Sequence, residues 1–177
     1  MNVHIALLTC FGLGKLRPAP GTWGSLPAVA IALLCVWLFD AGGADYHGTN
    51  HANITIALFG LAFAIACVKF GAEGESRLGG KDAQSIVADE VAGQSIALLV
   101  LPWRSFLETG AIAWNLSLAL IAFLAFRAMD ILKPPPARSM QSIRGGMGIL
   151  IDDVIAGIYA LAITQLVARL LLPRLLN

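Results

Sequence analysis

Long uncharged apolar runs dominate the chain, and their lengths set the first expectation. Residues 22–39, 54–68, 110–126 and 154–173, the last interrupted only by Arg169, approach the roughly 20 helical residues that a bilayer core demands. A fifth run, 91–103, is apolar but short. It reaches spanning length only if its helix begins near Ser85, which places Asp89 and Glu90 in the first helical turns at the membrane boundary. Residues 1–14 are too few to span comfortably and are expected to lie at the interface or re-enter. Gly/Pro-rich connections at 12–25, 132–140 and 144–148 interrupt the helical pattern. The pattern predicts an all-α, multi-pass transmembrane bundle of about five principal apolar helices plus an N-terminal interfacial or re-entrant segment, forming one membrane-embedded domain over 1–177.

Composition supports this class. Hydrophobic residues make up 58% of the chain and charged residues 13%, where a soluble domain holds about a quarter charged. The mean hydropathy is +0.77. A net charge of +1, with acids interleaved among the bases, excludes nucleic acid as a partner. Cys10, Cys35 and Cys67 each sit alone in an apolar run and read as small buried hydrophobes, not metal ligands. The N-terminus lacks the basic region of a signal peptide, and Thr9 precedes Cys10 where a lipoprotein cleavage site wants a smaller residue, so the segment is expected to be retained. Nine of the twelve Lys and Arg residues fall in three alternate loops: Lys15 and Arg17; Lys69, Arg77 and Lys81; Arg127, Lys133, Arg138 and Arg144. The loop 40–53 has none, so the positive-inside rule places the basic loops in the cytoplasm. Small residues are too evenly spread to single out a dimer face.

Six of the eleven acidic residues lie in three short segments on that same face, with Glu73 and Glu75 just ahead of the first. A carboxylate at bilayer depth costs roughly 2.5 to 3.5 kcal/mol on insertion scales, so these groups call for a cationic partner. Each segment alone has a bland account. On one helix, Asp82, Ser85, Asp89, Glu90 and Gly93 share a broad face. Acids at its N-terminus would gain about 0.3 to 1 kcal/mol from the dipole, which suits Asp82 better than a Glu90 already well inside. Asp152 and Asp153 could cap the last span, although two adjacent acids suit only one capping position. Asp130 stands between Arg127 and Lys133 at spacing three, as an intrahelical triad would.

Taken jointly, the acids form a cluster that cannot stay ionised without cations, because neighbouring like charges raise one another's pKa. Oxygen ligands without Cys or His select a hard ion, and Mg²⁺ is the expected cofactor. Such an ion commonly serves a phosphate, which makes Lys133, Arg144, Lys15 and Arg17 candidate phosphate ligands. GLGKLRPAPGTWGS (12–25) lacks the GK[ST] ending of a nucleotide-binding loop, yet its glycines, Thr22 and Ser25 could present N–H groups and hydroxyls to an anion.

The segments APGTWGS (19–25), IVADEVAGQ (86–94), FRAMDILKPPP (126–136) and GGMGILIDDVIAG (145–157), in this order, resemble the phosphatidylglycerophosphatase A family over nearly the whole chain. The resemblance implies a Mg²⁺-dependent multi-pass phosphatase of the bacterial inner membrane. It would hydrolyse phosphatidylglycerophosphate to phosphatidylglycerol and inorganic phosphate, with its active-site loops in the cytoplasm. Carried over, the metal and catalytic residues are Asp89, Glu90, Asp130, Asp152 and Asp153, with Asp82 at the edge of the set. Lys133 and Arg127 would hold the phosphate oxygens. The motifs contain no Cys or His nucleophile, which favours attack by a metal-activated water and leaves an aspartyl-phosphate route open. A phosphohistidine route would need a His beside the phosphate, and His4, His47 and His51 lie outside all four motifs. The competing non-enzymatic class is a carboxylate-lined ion carrier or channel, which would release no phosphate.

Overall fold

The computed structural model describes residues 2–42, 46–80, 83–140 and 145–176. Their order is α1 (Val3–Leu8), a 3-10 turn (Leu13–Lys15), α2 (Pro20–Leu38), α3 (Tyr46–Leu78), α4 (Ala88–Ala97), α5 (Ala111–Leu132), α6 (Ala137–Met140), α7 (Gly146–Leu170) and α8 (Leu172–Leu176). Four of them, α2, α3, α5 and α7, are long and apolar enough to cross a membrane. With α4 as a shorter fifth helix packed among them, the all-α architecture agrees with the hydropathy pattern. Local chemistry explains the boundaries. Pro20 opens α2 at a position where its missing N–H has no intrahelical partner to lose. Lys133 closes α5 in the left-handed conformation, and the three prolines that follow cannot continue the helix.

Two elements depart from the pattern. At 33 residues α3 is about 50 Å long against a core of roughly 30 Å, so it runs ten residues past the apolar stretch that ends at Val68. The N-terminal segment docks on this overhang. His4 stacks on Phe70 with ring centroids 3.9 Å apart, its Nδ1 lies 2.8 Å from Glu73 Oε2, and Leu8 accepts a hydrogen bond from the Val87 N–H. The segment therefore does not span; it is a six-residue helix packed against α3 and the approach to α4.

The second departure is α4. A helix from Ser85 or earlier was the condition for crossing, but α4 starts at Ala88 and stops after ten residues, about 15 Å, half of the apolar core. From Leu98 to Gly110 the chain is irregular, and such backbone survives in apolar surroundings only where protein groups satisfy it. Polar side chains from the spans do so. Asn53 of α3 accepts from the Val100 N–H at 2.8 Å, and Gln165 of α7 donates to the Val100 carbonyl at 2.7 Å. Asn115 of α5 accepts from the Arg104 N–H and donates to its carbonyl, at 2.9 and 2.8 Å. Trp114 donates to the Pro102 carbonyl while its ring lies under the Arg104 guanidinium.

Glycine sets the distance between α4 and α7. A Cβ on Gly93 would lie 2.5 Å from the Asp153 carbonyl oxygen and 2.6 Å from the Phe126 ring, and one on Gly157 would strike the Gly93 carbonyl. Helices in lipid associate through such close packing, since the surrounding chains offer no hydrophobic drive. The crossing aligns the first turn of α4 with the second turn of α7. Gly157→Ala is expected to lower stability by about 1 to 3 kcal/mol, read as a depressed melting temperature in detergent, because the obstacle is backbone. Truncation at the exposed neighbour in Ile158→Ala should leave the melt near wild type.

Candidate active site and metal centre

The start of α2, the start of α4, the end of α5 and the second turn of α7 meet at one end of the bundle. Asp89 and Glu90 are the second and third residues of α4, where the unpaired N–H groups of the first turn favour negative charge. Glu90 is thus in the first turn, not deep inside a longer helix, because α4 begins later than the sequence pattern suggests. Across the glycine crossing, Asp153 completes a triad whose carboxylate oxygens lie within 4.8 Å of one another. Asp89 and Asp153 are 8% and 3% exposed. Asp89 Oδ1, Glu90 Oε2 and Asp153 Oδ2 are buried and have no hydrogen-bond partner among the described residues. Burial raises the Asp89 pKa well above the carboxylate range, and the Glu90 charge adds to it. Burial also pushes Glu90 up to about 8, against the pull of its hydrogen bond with Asp89.

Asp152 and Asp153 do not open the last span. They are the seventh and eighth residues of α7, whose cap is Gly145, so N-capping cannot account for either. Asp130 lies beside the Asp153 carboxyl and forms an ion pair with Arg127 at 2.8 Å. The expected Arg127–Asp130–Lys133 triad is only half formed, because Lys133 turns from α5 and pairs with Asp152 of α7. Burial pulls the Lys133 pKa down, but the hydrogen bond and charge of Asp152 outweigh it and hold the ammonium above its ordinary value.

Gly21, the second residue of α2, is where the acidic and basic halves touch. A Cβ there would lie 2.5 Å from Glu90 Oε1 and 2.9 Å from both Nη atoms of Arg127. The Arg127–Asp130 contact is close enough for an ion pair, yet Arg127 Nε and Nη1 are buried without a hydrogen-bond acceptor among the described residues. Buried polar groups are rarely left unpaired, and here neighbouring side chains carry acceptors and donors that are unpaired among the described residues. Among the described residues, five carboxylates are paired with two cations, Arg127 and Lys133, an excess of three negative charges when all are ionised. A hard divalent ion fits the three unpartnered carboxylate oxygens, and an anion fits the guanidinium.

The remaining predicted residues are placed differently. Thr22 is half-buried beside Gly21, whereas the buried Ser25 donates its hydroxyl hydrogen to the Gly21 carbonyl at 2.8 Å within its own helix. Lys15 and Arg17 are exposed ahead of α2. Asp82 and Arg144 lie outside the described residues. One polar residue at this end of the bundle goes unassigned in the sequence. Gln94, one turn beyond Glu90, is fully buried with neither end of its amide partnered among the described residues. Its only signal was a polar residue four positions after an acid on an apolar helix. Gly21 leaves the room in which Glu90 and Arg127 meet, and spacing along the chain cannot show that.

Fold and site define an integral-membrane helical bundle with a buried carboxylate cluster paired with Arg127 and Lys133 at one end. The chain belongs to the phosphatidylglycerophosphatase A family of phosphatases, whose family model matches residues 6–168. It is 36% identical over 162 residues to a phosphatidylglycerophosphatase A of Haemophilus influenzae, covering 91% of this chain and 85% of the relative. The protein of that name from Escherichia coli is 29% identical, with 90% and 80% covered. A putative phosphatidylinositol-3-phosphatase of Bacteroides thetaiotaomicron is 32% identical, with 86% and 85% covered. No solved structure matches significantly.

Gly21→Ala separates site from scaffold. The atoms a methyl would meet are the ends of two flexible side chains, so the variant should fold and melt like wild type. Its turnover should fall on the order of 10²-fold, because misplacing positioned groups by about 1 Å suffices for such a loss.

Proposed function

We propose that the protein hydrolyses phosphatidylglycerophosphate to phosphatidylglycerol and inorganic phosphate, with Mg²⁺ as cofactor, at the cytoplasmic face of the bacterial inner membrane. The observation that carries this reading is the buried triad of Asp89, Glu90 and Asp153 at the end of a transmembrane bundle, each with a carboxylate oxygen unpartnered among the described residues, beside the Arg127 guanidinium that meets Glu90 over Gly21. Family membership supports phosphatase activity and sets the ion-carrier class aside. The relatives' names all specify lipid substrates bearing a phosphate monoester.

Asp89, Glu90 and Asp153 hold the ion. Mg²⁺, when bound, supplies the positive charge that offsets the phosphoryl oxygens. Asp130 and Asp152 orient Arg127 and Lys133, which take the phosphate oxygens through charge-assisted hydrogen bonds. A terminal phosphomonoester offers three such oxygens, and an internal diester fewer. Phosphatidylglycerol is therefore released and not consumed. Gln94 lies within the same helix face as Glu90 and offers both a donor and an acceptor to the bound groups.

Turnover is to be measured as free phosphate from phosphatidylglycerophosphate in mixed micelles. EDTA should abolish it and added Mg²⁺ restore it. Asp89→Asn, Glu90→Gln and Asp153→Asn should fall to near background with normal expression, and Lys133→Met should lose a factor on the order of 10². Turnover near wild type in all three acid variants would refute the metal assignment. Orientation is tested separately by Leu107→Cys and Ser76→Cys, both exposed positions at opposite ends of the bundle. An impermeant thiol reagent on intact cells should label the first and spare the second, and the reverse would invert the topology.

A further inference from the structure

We infer that a groove formed by α3, α4 and α7 on the lipid-facing flank of the bundle seats one acyl chain of the substrate. This inference rests on the lipid phosphatase reading and deepens it. The hollow has a volume of about 200 Å³ and is bordered by Ala57, Leu61 and Ala64 of α3, Ala92 and Ile96 of α4, and Val154 of α7. Ser95 is its one hydroxyl, and that group donates to the Val91 carbonyl within α4. Leu61 and Ala64 also border a second hollow of about 310 Å³ toward the site end, with Val68 and Leu150 in its wall and Lys69 at its rim. The two share Leu61 and Ala64 and line an apolar track of α3 from 57 to 69.

The occupant follows from where the track leads. Val154 is the residue after Asp153, and Ala92 lies one helical turn beyond Asp89, so the groove begins where the carboxylate cluster ends. Lys69 stands at the same end of α3 as the site, positioned for the anionic headgroup region. Depth comes from small side chains: Ala57, Gly60 and Ala64 recur at spacings of three and four along α3. At Gly60 that helix rests on Ser95, so close that a Cβ would come within 2.6 Å of the serine Cβ. Leu61 and Ile65 are about half exposed and leave the flank open to lipid. An acyl chain is already in an apolar solvent, so entering the groove brings no hydrophobic gain. What it gains is close packing, and what it supplies is orientation of the glycerol phosphate toward Arg127 and Lys133.

The test compares dioleoyl with dihexanoyl phosphatidylglycerophosphate in mixed micelles containing Mg²⁺, for wild type, Ala64→Phe and Ala57→Phe. These positions lie outside the carboxylate and phosphate machinery, and melting temperatures check the fold. With the groove filled, kcat/KM on the dioleoyl lipid should fall about tenfold while the dihexanoyl rate stays within about twofold. Leu61→Ala, which widens the groove, should change the ratio of the two rates without lowering turnover of the short-chain lipid. Equal losses on both lipids, or unchanged ratios in all three variants, would mean that ordinary bilayer lipid covers the groove and would overturn the inference. A wild-type protein that hydrolysed neither lipid would defeat the phosphatase reading itself, an outcome distinct from wild-type turnover with no dependence on the groove.

Discussion

A helix that stops inside an apolar bundle leaves its last carbonyls and the backbone beyond them without water, and the protein must answer for every one. That constraint organises this fold around α4. Its ten residues carry two acids in at the near end and then hand the chain to amides on three separate spans, Asn53, Asn115 and Gln165. Those side chains would weaken each span as an isolated membrane helix. Here they replace the hydrogen bonds that α4 gives up by ending early, so the far half of the bundle is built to permit a short helix in the near half.

The near half answers a different demand. Carboxylates gathered in low dielectric repel one another, and Asp130 and Asp152 already engage Arg127 and Lys133. Asp89, Glu90 and Asp153 are left with unpartnered oxygens. The glycine contact of α4 with α7 enforces this proximity, because without it the first turn of one helix could not lie against the second turn of the other. Packing therefore determines the electrostatics: a methyl group added at the crossing would move charges as well as backbones.

Much of this was legible in the sequence. Apolar run lengths identified four spans, loop charges put the motifs at one end, and the carboxyl side chains at 89, 90, 130, 152 and 153 stood out because nothing apolar explains them. Boundaries were less readable. Hydropathy marks where a chain tolerates lipid, not where a helix begins, so it shows neither the overhang of α3 nor the late start of α4, and Asp152, which reads as an end residue, lies two turns inside. Pairing across helices was also hidden: Lys133 stands as near Asp130 in sequence as Arg127 does, yet it turns to α7. The role of Gly21 depends on two side chains more than sixty positions away.

The half-length of α4 has a consequence for traffic. On the proposed reading, a site at its first turn faces the aqueous boundary, while the flank along α3 faces hydrocarbon. The two products then part by solubility: phosphate departs upward into water, and the dephosphorylated lipid drifts sideways into its own leaflet. Neither product blocks the route of the other, and the lipid never has to be lifted from the bilayer to be processed.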